Sequence, residues 1–420
     1  MCGKAAETLP SFARLDGRDA RPHTSFSRLD GRDARFPTQP FLTLESLSGR
    51  IGKYALLCPE GTTALAEDTK LHDFLQELLR RGGSDLLLVH GVAASIRKNG
   101  EVEKIGDDPL DGLEIESLVQ PILTPVAAGQ YGAVQIADSS YRIAGLGRFR
   151  INLHRERGHA AATIRALPMK VPALGELGLP AEVGNLAGLR RGLVLIGGAA
   201  GAGKSTTLAA LVNEINQRDA RHIVTIEDPV EYEHAHMRSV IEQVEVGSDA
   251  PDFPTALRAA LRQAPDVLVV GEMRDPESMA IAVSAAETGH LVLSTLHTTD
   301  VASAISRISD SFPVERQSTI RQELAMAISA VLTQILLPSR KGGRIPAIEL
   351  LMIGYGARQH IRHNALQHLN QEITMTKGKG SITLEESLAR LVKGGHLERE
   401  EAIEFAVHPD ELKSRLRGLG

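Results

Sequence analysis

The sequence has no tryptophan and few other aromatic residues. Aromatic residues make up 3% of the 420 positions, which argues against binding of single-stranded nucleic acid, because such binding uses aromatic stacking platforms. The net charge of −5 and the isoelectric point near 6.3 provide no overall basic character for DNA or RNA. We therefore expect no nucleic-acid partner.

Cysteines and long apolar runs are also scarce. The two cysteines, Cys2 and Cys58, form neither a paired CxxC zinc site nor a disulfide framework, so we expect a cytoplasmic protein. The longest apolar stretch, 325–337, contains polar residues and is too short to span a bilayer. The first residues show no secretory signal pattern. These features predict no direct membrane insertion, so membrane association requires a partner.

The first part of the chain predicts an extension and a small α+β domain. Residues 1–66 contain a polar direct repeat, in which 11–21 recurs as 25–35, and we predict a disordered or unassigned segment there. Residues 67–168 are predicted to form the α+β domain, with a tight hairpin at Asn99-Gly100. Its other expected elements are helices over 71–79 and 113–123 and strands at 86–89, 133–136, 141–144, 148–153 and 160–167. A proline-rich linker over 169–185 follows.

The second part alternates short apolar strands with helices, which predicts an α/β fold with a parallel sheet over 186–355. The predicted strands are 193–197, 223–226, 267–270 and 291–293. A long buried helix is expected over 318–337. Residues 356–420 predict a helical region, with a helix that begins after Thr383, ends at Gly394-Gly395 and precedes a short last helix that stops before Pro409.

The strand at 193–197 leads directly into a glycine-rich G-x-x-x-x-G-K-S sequence and then a helical pattern. Strand, glycine loop and helix in this order are typical of a phosphate-binding P-loop. Lys204 is predicted to reach the β- and γ-phosphates, and the Ser205 hydroxyl to bind Mg²⁺. The expected cofactors are ATP and Mg²⁺. The predicted nucleotide-binding residues are Gly198, Gly201, Ala202, Gly203, Lys204, Ser205 and Thr206.

Acidic and polar residues follow the other predicted strands, where a ligand lies in a doubly wound sheet. Glu272 follows the apolar run 267–270 and is predicted to hold Mg²⁺ through a water molecule bound to the ion. Glu227, Asp228 and Glu231 form a second acidic cluster, and a P-loop enzyme also needs a group that orients the attacking water. His297, beside two threonines, is a candidate sensor of the γ-phosphate.

Two arginines of the N-terminal domain are candidates of a different kind. Alternation along 148–153 places Arg150 on the face opposite Phe149 and Ile151, and Arg165 lies on the next predicted strand. From the residues alone, an arginine exposed on a strand indicates a solvated surface position.

Taken together, these motifs resemble those of the secretion-type hexameric ATPases, most closely the PilT-like pilus-retraction ATPases. The resemblance extends over about 71–405. The matching motifs are the Walker A sequence at 198–205, the aspartate box at 225–231, the Walker B sequence at 271–275 and the histidine box at 289–299.

The resemblance implies roles that the residues alone leave open. It implies a PAS-like N-terminal domain and a RecA-like ATPase domain, with Glu231 as general base or water-orienting residue and Glu272 as the Walker B acid. Arg150 and Arg165 match arginines that reach a neighbouring subunit's phosphates, as an arginine finger does. It also implies a homo-hexamer that drives pilus retraction, held at the inner membrane by a pilus platform protein.

Three departures from the family pattern keep alternatives open. Alanines replace middle residues of the Walker A sequence at 199, 200 and 202, which is compatible with binding because backbone amides hold the phosphates. The retraction motif is reduced to 356–363, which keeps two arginines and one isoleucine and leaves the direction of pilus movement open. The CxxC zinc motif of many extension and type II secretion ATPases is absent. The alternatives are a type II secretion or DNA-uptake ATPase and a nucleotide-binding regulator of a pilus motor.

Overall fold

The computed structural model describes residues 69–417, which form two β-sheets with associated helices. The predicted extension over 1–66, its repeat and both cysteines lie outside the described residues.

The first sheet is antiparallel and has six strands in the order β3-β2-β1-β6-β5-β4. Its elements are α1 (Thr69–Arg80), β1 (Asp85–Leu88), β2 (Ala93–Lys98), β3 (Glu101–Pro109), α2 (Gly112–Val119), α3 (Pro125–Val134), β4 (Ala137–Ile143), β5 (Gly147–Glu156) and β6 (His159–Leu167). The predicted alternation along β5 is confirmed, because Phe149, Ile151 and Leu153 are fully buried. The predicted hairpin is confirmed too, with Asn99 and Gly100 at positive φ between β2 and β3. That this domain is PAS-like stays a prediction.

The predicted strand at 133–136 is wrong, because those residues include the end of helix α3. The Thr124 hydroxyl caps this helix by accepting a hydrogen bond from the amide of Ala127, and Pro125 occupies its first turn. Gln135 ends the helix in the left-handed conformation. A Thr-Pro start signal was present in the sequence, but the apolar residues near the end of the helix suggested a strand.

The second sheet has seven strands in the order β13-β12-β7-β11-β10-β8-β9. They are β7 (Gly192–Gly197), β8 (His222–Glu227), β9 (Val240–Glu245), β10 (Val267–Val270), β11 (Leu291–Leu296), β12 (Ile328–Pro338) and β13 (Arg344–Met352). All neighbouring pairs are parallel except β12 with β13. The predicted α/β class with a parallel sheet is therefore confirmed. The carboxyl ends of β7, β8, β10 and β11 consequently lie along one edge.

Helices cover both faces of this sheet. They are α4 (Gly184–Ala187), α5 (Lys204–Arg218), α6 (Phe253–Ala260), α7 (Pro276–Glu287), α8 (Val301–Asp310), α9 (Val314–Ala327), α10 (Tyr355–Arg362), α11 (Leu369–Met375), α12 (Leu384–Lys393), α13 (Arg399–Phe405) and α14 (Pro409–Leu416). In β7, Val194 and Ile196 pack toward α5, whereas Leu193 and Leu195 pack in the cluster that includes α6 to α9. Burial on both faces explains why this strand is apolar throughout.

The long helix predicted over 318–337 is also wrong. Helix α9 ends at Ala327, and the chain continues as β12, which pairs with β7 on one side and β13 on the other. An element that is buried all round has no periodicity that distinguishes helix from strand. The β-branched residues Val331, Thr333 and Ile335 favour the strand, and β7 supplies its hydrogen-bond partners.

The C-terminal part is helical, as predicted, and Thr383 caps α12 by accepting from the amide of Glu386. A short helix, α13, stops before Pro409 as expected, but the expectation that it is the last helix was wrong, since Pro409 is the first residue of α14. The predicted linker over 169–185 contains two short 3₁₀ turns, Leu174–Leu177 and Ala181–Val183. Among the helices of residues 69–417, none has the length and apolar character needed to cross a membrane.

Candidate functional site

The glycine loop between β7 and α5 has a backbone that only glycine accommodates at two positions. Gly198 has a φ of 153°, and a Cβ there would meet the carbonyl oxygen of Gln334 at 2.6 Å. Gly203 caps α5 with a φ of 87° in the left-handed region. The loop therefore passes close to β12 and ends with the free amides of a helix N-terminus, which is an anion-binding arrangement.

Lys204 begins α5, and its ammonium group is buried. Its Nζ donates to the carbonyl oxygens of Gly198 and Ala199, each at 2.9 Å. Burial lowers the pKa of this ammonium, while the charges of Glu272 and Glu231 act in the opposite direction. The lysine is thus held on the loop, and the carboxylates of Glu272 and Glu231 are near enough to influence the pKa of its ammonium group.

Gln334 on β12 holds the glycine loop and the start of α5 through two hydrogen bonds, and the sequence did not predict this contact. Its Nε2 donates to the carbonyl of Ala202, and its Oε1 accepts from the Thr207 hydroxyl at 2.9 Å. Gln334 is buried, and a buried amide requires such partners. The available signal was a glutamine in the middle of an apolar run.

The aspartate box continues from the end of β8 and carries several carboxylates. Glu227 accepts from the Thr225 hydroxyl at 2.7 Å and from the Gln243 side chain at 3.2 Å, and burial raises the pKa of its carboxyl group. The amide of Glu231 donates to Glu227 at 3.4 Å. Tyr232 is buried beside the P-loop helix. Glu227 thus stabilises this segment through its hydrogen bonds. Glu231 lines the cleft that the P-loop also lines.

Glu272, after β10, is linked to the P-loop through His297. The Nε2 atom of His297 lies 3.2 Å from Oε1 of Glu272, and its Nδ1 lies 3.5 Å from Nζ of Lys204. A neutral imidazole with its proton on Nε2 fits both contacts, because an ammonium group only donates. Arg274 pairs with the other oxygen of Glu272 at 2.8 Å. The predicted Walker B acid and the histidine therefore form one chain of contacts to Lys204.

Arg150 on β5 and Arg165 on β6 line the same cleft as the P-loop of their own chain. Arg165 pairs with the buried carboxylate of Asp85 at 2.7 Å, and Arg150 lies 3.9 Å from Asp138. Both side chains remain substantially exposed. The face opposite the β5 core residues is therefore not only solvated surface, since it forms one wall of the cleft.

The cleft brings together most of the predicted site residues from both sheets. Its charged and polar lining includes Arg150, Arg165, Lys204, Glu231, Glu272 and His297. Gly201 and Ser205 also line it, whereas Gly198, Ala202, Gly203 and Thr206 belong to the adjoining loop and first turn of α5.

This lining fits a magnesium nucleotide. The helix N-terminus, Lys204 and the two arginines are suited to polyphosphate, and the Ser205 hydroxyl and Glu272 carboxylate offer the hard oxygen donors that Mg²⁺ prefers. The glycine at 198 lets the loop lie against β12, because a Cβ there would meet the carbonyl oxygen of Gln334. Cations and anions meet in the cleft in the combination that phosphoryl transfer requires.

The sequence of this chain is similar to those of several known proteins. Residues 166–398 match the family described as Type II/IV secretion system protein. The chain is 38% identical over 333 residues to the Type IV pilus retractation ATPase PilT of Pseudomonas aeruginosa, an alignment that covers 79% of this chain and 97% of the relative. It is also 38% identical over 318 residues to a twitching motility protein of Neisseria gonorrhoeae, covering 76% of this chain and 85% of that one.

Solved structures include a similar protein. The structure described as the pilus retraction motor PilT with bound ADP matches with a TM-score of 0.75 and 38% identity, covering 81% of this chain and 98% of that chain. The chain therefore belongs to the type II/IV secretion system protein family and, within it, to the PilT-like ATPases.

Proposed function

We propose that this protein is an ATP-hydrolysing motor that drives type IV pilus retraction as a homo-hexamer. The observation that carries the proposal is the single cleft in which the P-loop, two acidic residues and two arginines meet. The chain aligns with nearly the whole length of a relative described as a pilus retraction ATPase, which supports the motor role.

Each residue has a role that follows from its position. The P-loop amides and Lys204 bind the β- and γ-phosphates, and Ser205 with Glu272 holds Mg²⁺, which neutralises charge on the phosphates when it is bound. Glu231 accepts the proton of the attacking water, since its carboxylate lines the cleft. His297 connects Glu272 to Lys204 and senses the γ-phosphate through that contact.

Arg150 and Arg165 stabilise the developing charge on the transferred phosphoryl group. Their place in the cleft of their own chain favours action in cis, in contrast to the neighbouring-subunit role that the sequence resemblance implied. Closure of the N-terminal sheet over the nucleotide brings the two arginines toward the phosphates and converts hydrolysis into movement.

The reduced retraction motif has a structural role that is compatible with retraction. It forms helix α10, in which Arg358 donates to the carbonyl oxygens of Ala325 and Met326 at the end of α9. These orphan carbonyls need such a donor. We propose that the hexamer works in the cytoplasm and docks on an inner-membrane pilus platform protein, because pilus motors act on a membrane-anchored assembly.

The test is phosphate release by the purified chain with ATP and Mg²⁺. Lys204→Ala is expected to remove the activity, because the γ-phosphate loses its main cationic contact. Lys70→Ala is the matched control, because Lys70 is an exposed lysine on α1 that pairs with Glu114 and does not line the cleft. Phosphate release by Lys204→Ala at the wild-type rate would contradict the assignment. Restored twitching in a strain that lacks its own retraction ATPase tests the retraction role.

A further inference from the structure

One arginine of β5 contacts the loop that carries Glu231 without lining the nucleotide cleft. Arg148 is buried, with 8% of its surface exposed. Its Nη2 atom donates to the carbonyl oxygen of Val230 at 3.0 Å, and its Nε atom lies 3.1 Å from Oε1 of Glu233. The arginine therefore holds the chain on both sides of Glu231 and its neighbour Tyr232.

Other contacts complete the attachment of this loop. Glu245, at the end of β9, accepts from the amide of Val230 at 3.1 Å and from the Ser140 hydroxyl on β4 at 2.7 Å. The oxygen that accepts from Val230, Oε2, also lies 3.8 Å from Nη2 of Arg148. Both backbone polar groups of Val230 are thus bound, the carbonyl by the N-terminal sheet and the amide by a carboxylate that this sheet also contacts.

Arg148 and Arg150 are separated by one residue on β5, so they project from the same face about 7 Å apart along the strand. Arg150 lines the nucleotide cleft, and Arg148 holds the Glu231 loop. Both side chains are carried by one rigid strand. A movement of β5 that brings Arg150 toward the nucleotide therefore also moves the loop that carries Glu231.

We infer that Arg148 is a positioning residue that couples the N-terminal sheet to Glu231, so that the water-activating carboxylate is aligned only when Arg150 engages the nucleotide. This inference rests on the proposed ATPase function. Because a misplacement of about 1 Å can reduce turnover about 100-fold, loss of this anchor acts on the rate of the chemical step. Nucleotide binding depends on the P-loop and changes little.

The test is a double-mutant cycle measured by phosphate release. Arg148→Gln is expected to lower kcat about 30-fold, while the Kd of a non-hydrolysable ATP analogue changes less than about 3-fold. In a Glu231→Gln background, the same substitution is expected to lower the residual rate by less than about 2-fold, because the carboxylate that it positions is already absent. Equal losses in the two backgrounds would overturn the inference, as would a loss of affinity that matches the loss of rate.

Arg155→Gln is the matched control. Arg155 also lies on β5 and makes two hydrogen bonds to one carboxylate, that of Glu116, but within the N-terminal sheet and its helices. Its removal is expected to leave kcat within about 2-fold, as for most surface substitutions.

Glu233→Gln provides a second route should Arg148→Gln fail to fold. Glu233 is exposed, and the amide keeps the shape of the side chain but removes the ion pairs with Arg148 of β5 and Arg142 of β4, both of which join the loop to the N-terminal sheet. A fall in kcat that disappears in the Glu231→Gln background supports the inference, and unchanged turnover overturns it. A wild-type chain that releases no phosphate would instead overturn the proposed function itself.

Discussion

Arg150 and Arg165 lie directly opposite each other across the β5–β6 pair. Like charges in directly opposed positions destabilise a sheet, and Asp85 and Asp138 only partly offset this here because both arginines stay exposed to the cleft. The two opposed arginines do not stabilise the sheet. Because they face the P-loop, we infer that their role is to bind an anionic ligand.

We expect Arg150→Gln and Arg165→Gln to reduce turnover by at least about 100-fold, because each removes positive charge from the transition state of phosphoryl transfer. Glutamine at 165 retains a hydrogen-bond donor for the buried carboxylate of Asp85, so folding is preserved. Arg97→Gln, on β2 and outside the cleft, is the control and should leave turnover unchanged. Steady-state phosphate release with circular dichroism separates activity from folding. Near-normal turnover in both variants would show that the two arginines are ordinary surface residues with no role in catalysis.

The position of the arginines in their own chain also predicts the behaviour of mixed oligomers. We expect mixtures of Arg165→Gln and Lys204→Ala subunits to stay inactive, because no chain then carries both an intact P-loop and an intact arginine. Subunit exchange is verified by mass spectrometry of isotopically labelled chains. Recovery of activity in verified mixed hexamers would show that the arginines act across the subunit interface, as the sequence resemblance implied.

The two acids are expected to differ in their effects. Glu231→Gln should bind ATP normally but turn over about 100-fold or more slowly, because an amide cannot accept the proton of water. Glu272→Gln should raise the Mg²⁺ concentration needed for half-maximal activity, because a neutral amide binds the ion more weakly than a carboxylate. Equilibrium nucleotide binding and magnesium titrations of phosphate release separate the two. The opposite pattern would show that their roles are exchanged.

The sequence predicted the local parts of this site well. The P-loop could be identified because its glycines, lysine and serine are contiguous and lie between a strand and a helix. The acids after β8 and β10 could be placed nearby because the carboxyl ends of parallel strands share an edge.

The parts that were missed depend on tertiary contacts. β12 was mistaken for a helix, so Gln334 could not be placed beneath the loop. The contact of Arg148 with Glu233 joins residues 85 positions apart, and no local pattern predicts which arginine on an exposed strand face becomes buried. The closeness of the two sheets, which brings Arg165 to the P-loop, is likewise a property of the folded chain.

Gln334 offers a test of how the P-loop is supported. We expect Gln334→Leu to weaken nucleotide binding and to lower stability by about 1–3 kcal/mol, because the Ala202 carbonyl and the Thr207 hydroxyl lose their partner. Gln334→Glu should restore only the acceptor for Thr207, so its defect should remain. Chemical denaturation and nucleotide titration measure the two effects. Wild-type affinity in Gln334→Leu would show that the loop keeps its shape without this support.

The last prediction concerns the dependence of stability on pH. Burial raises the pKa of Glu349 on β13 from 4.5 to about 7, and the nearby acids Asp300 and Glu385 add to this shift. Between these two values the folded chain holds a proton that the unfolded chain has lost, so this carboxyl group stabilises the fold at low pH and loses that effect as pH rises through about 7.

The size of the effect follows from the shift in pKa. Each pKa unit corresponds to about 1.4 kcal/mol, so the free energy of unfolding changes by at most about 3.5 kcal/mol, and by less once the partial exposure of the side chain is considered. Glu349→Gln keeps an acceptor for the amide of Val301 and cannot ionise. We therefore expect this variant to have a higher Tm than the wild type at pH 8 and a similar Tm at pH 4, because below the ordinary pKa of 4.5 both side chains are neutral in the folded and the unfolded chain. Thermal unfolding over this pH range measures the difference. A Tm difference that is the same at both pH values would show that Glu349 titrates near its ordinary pKa.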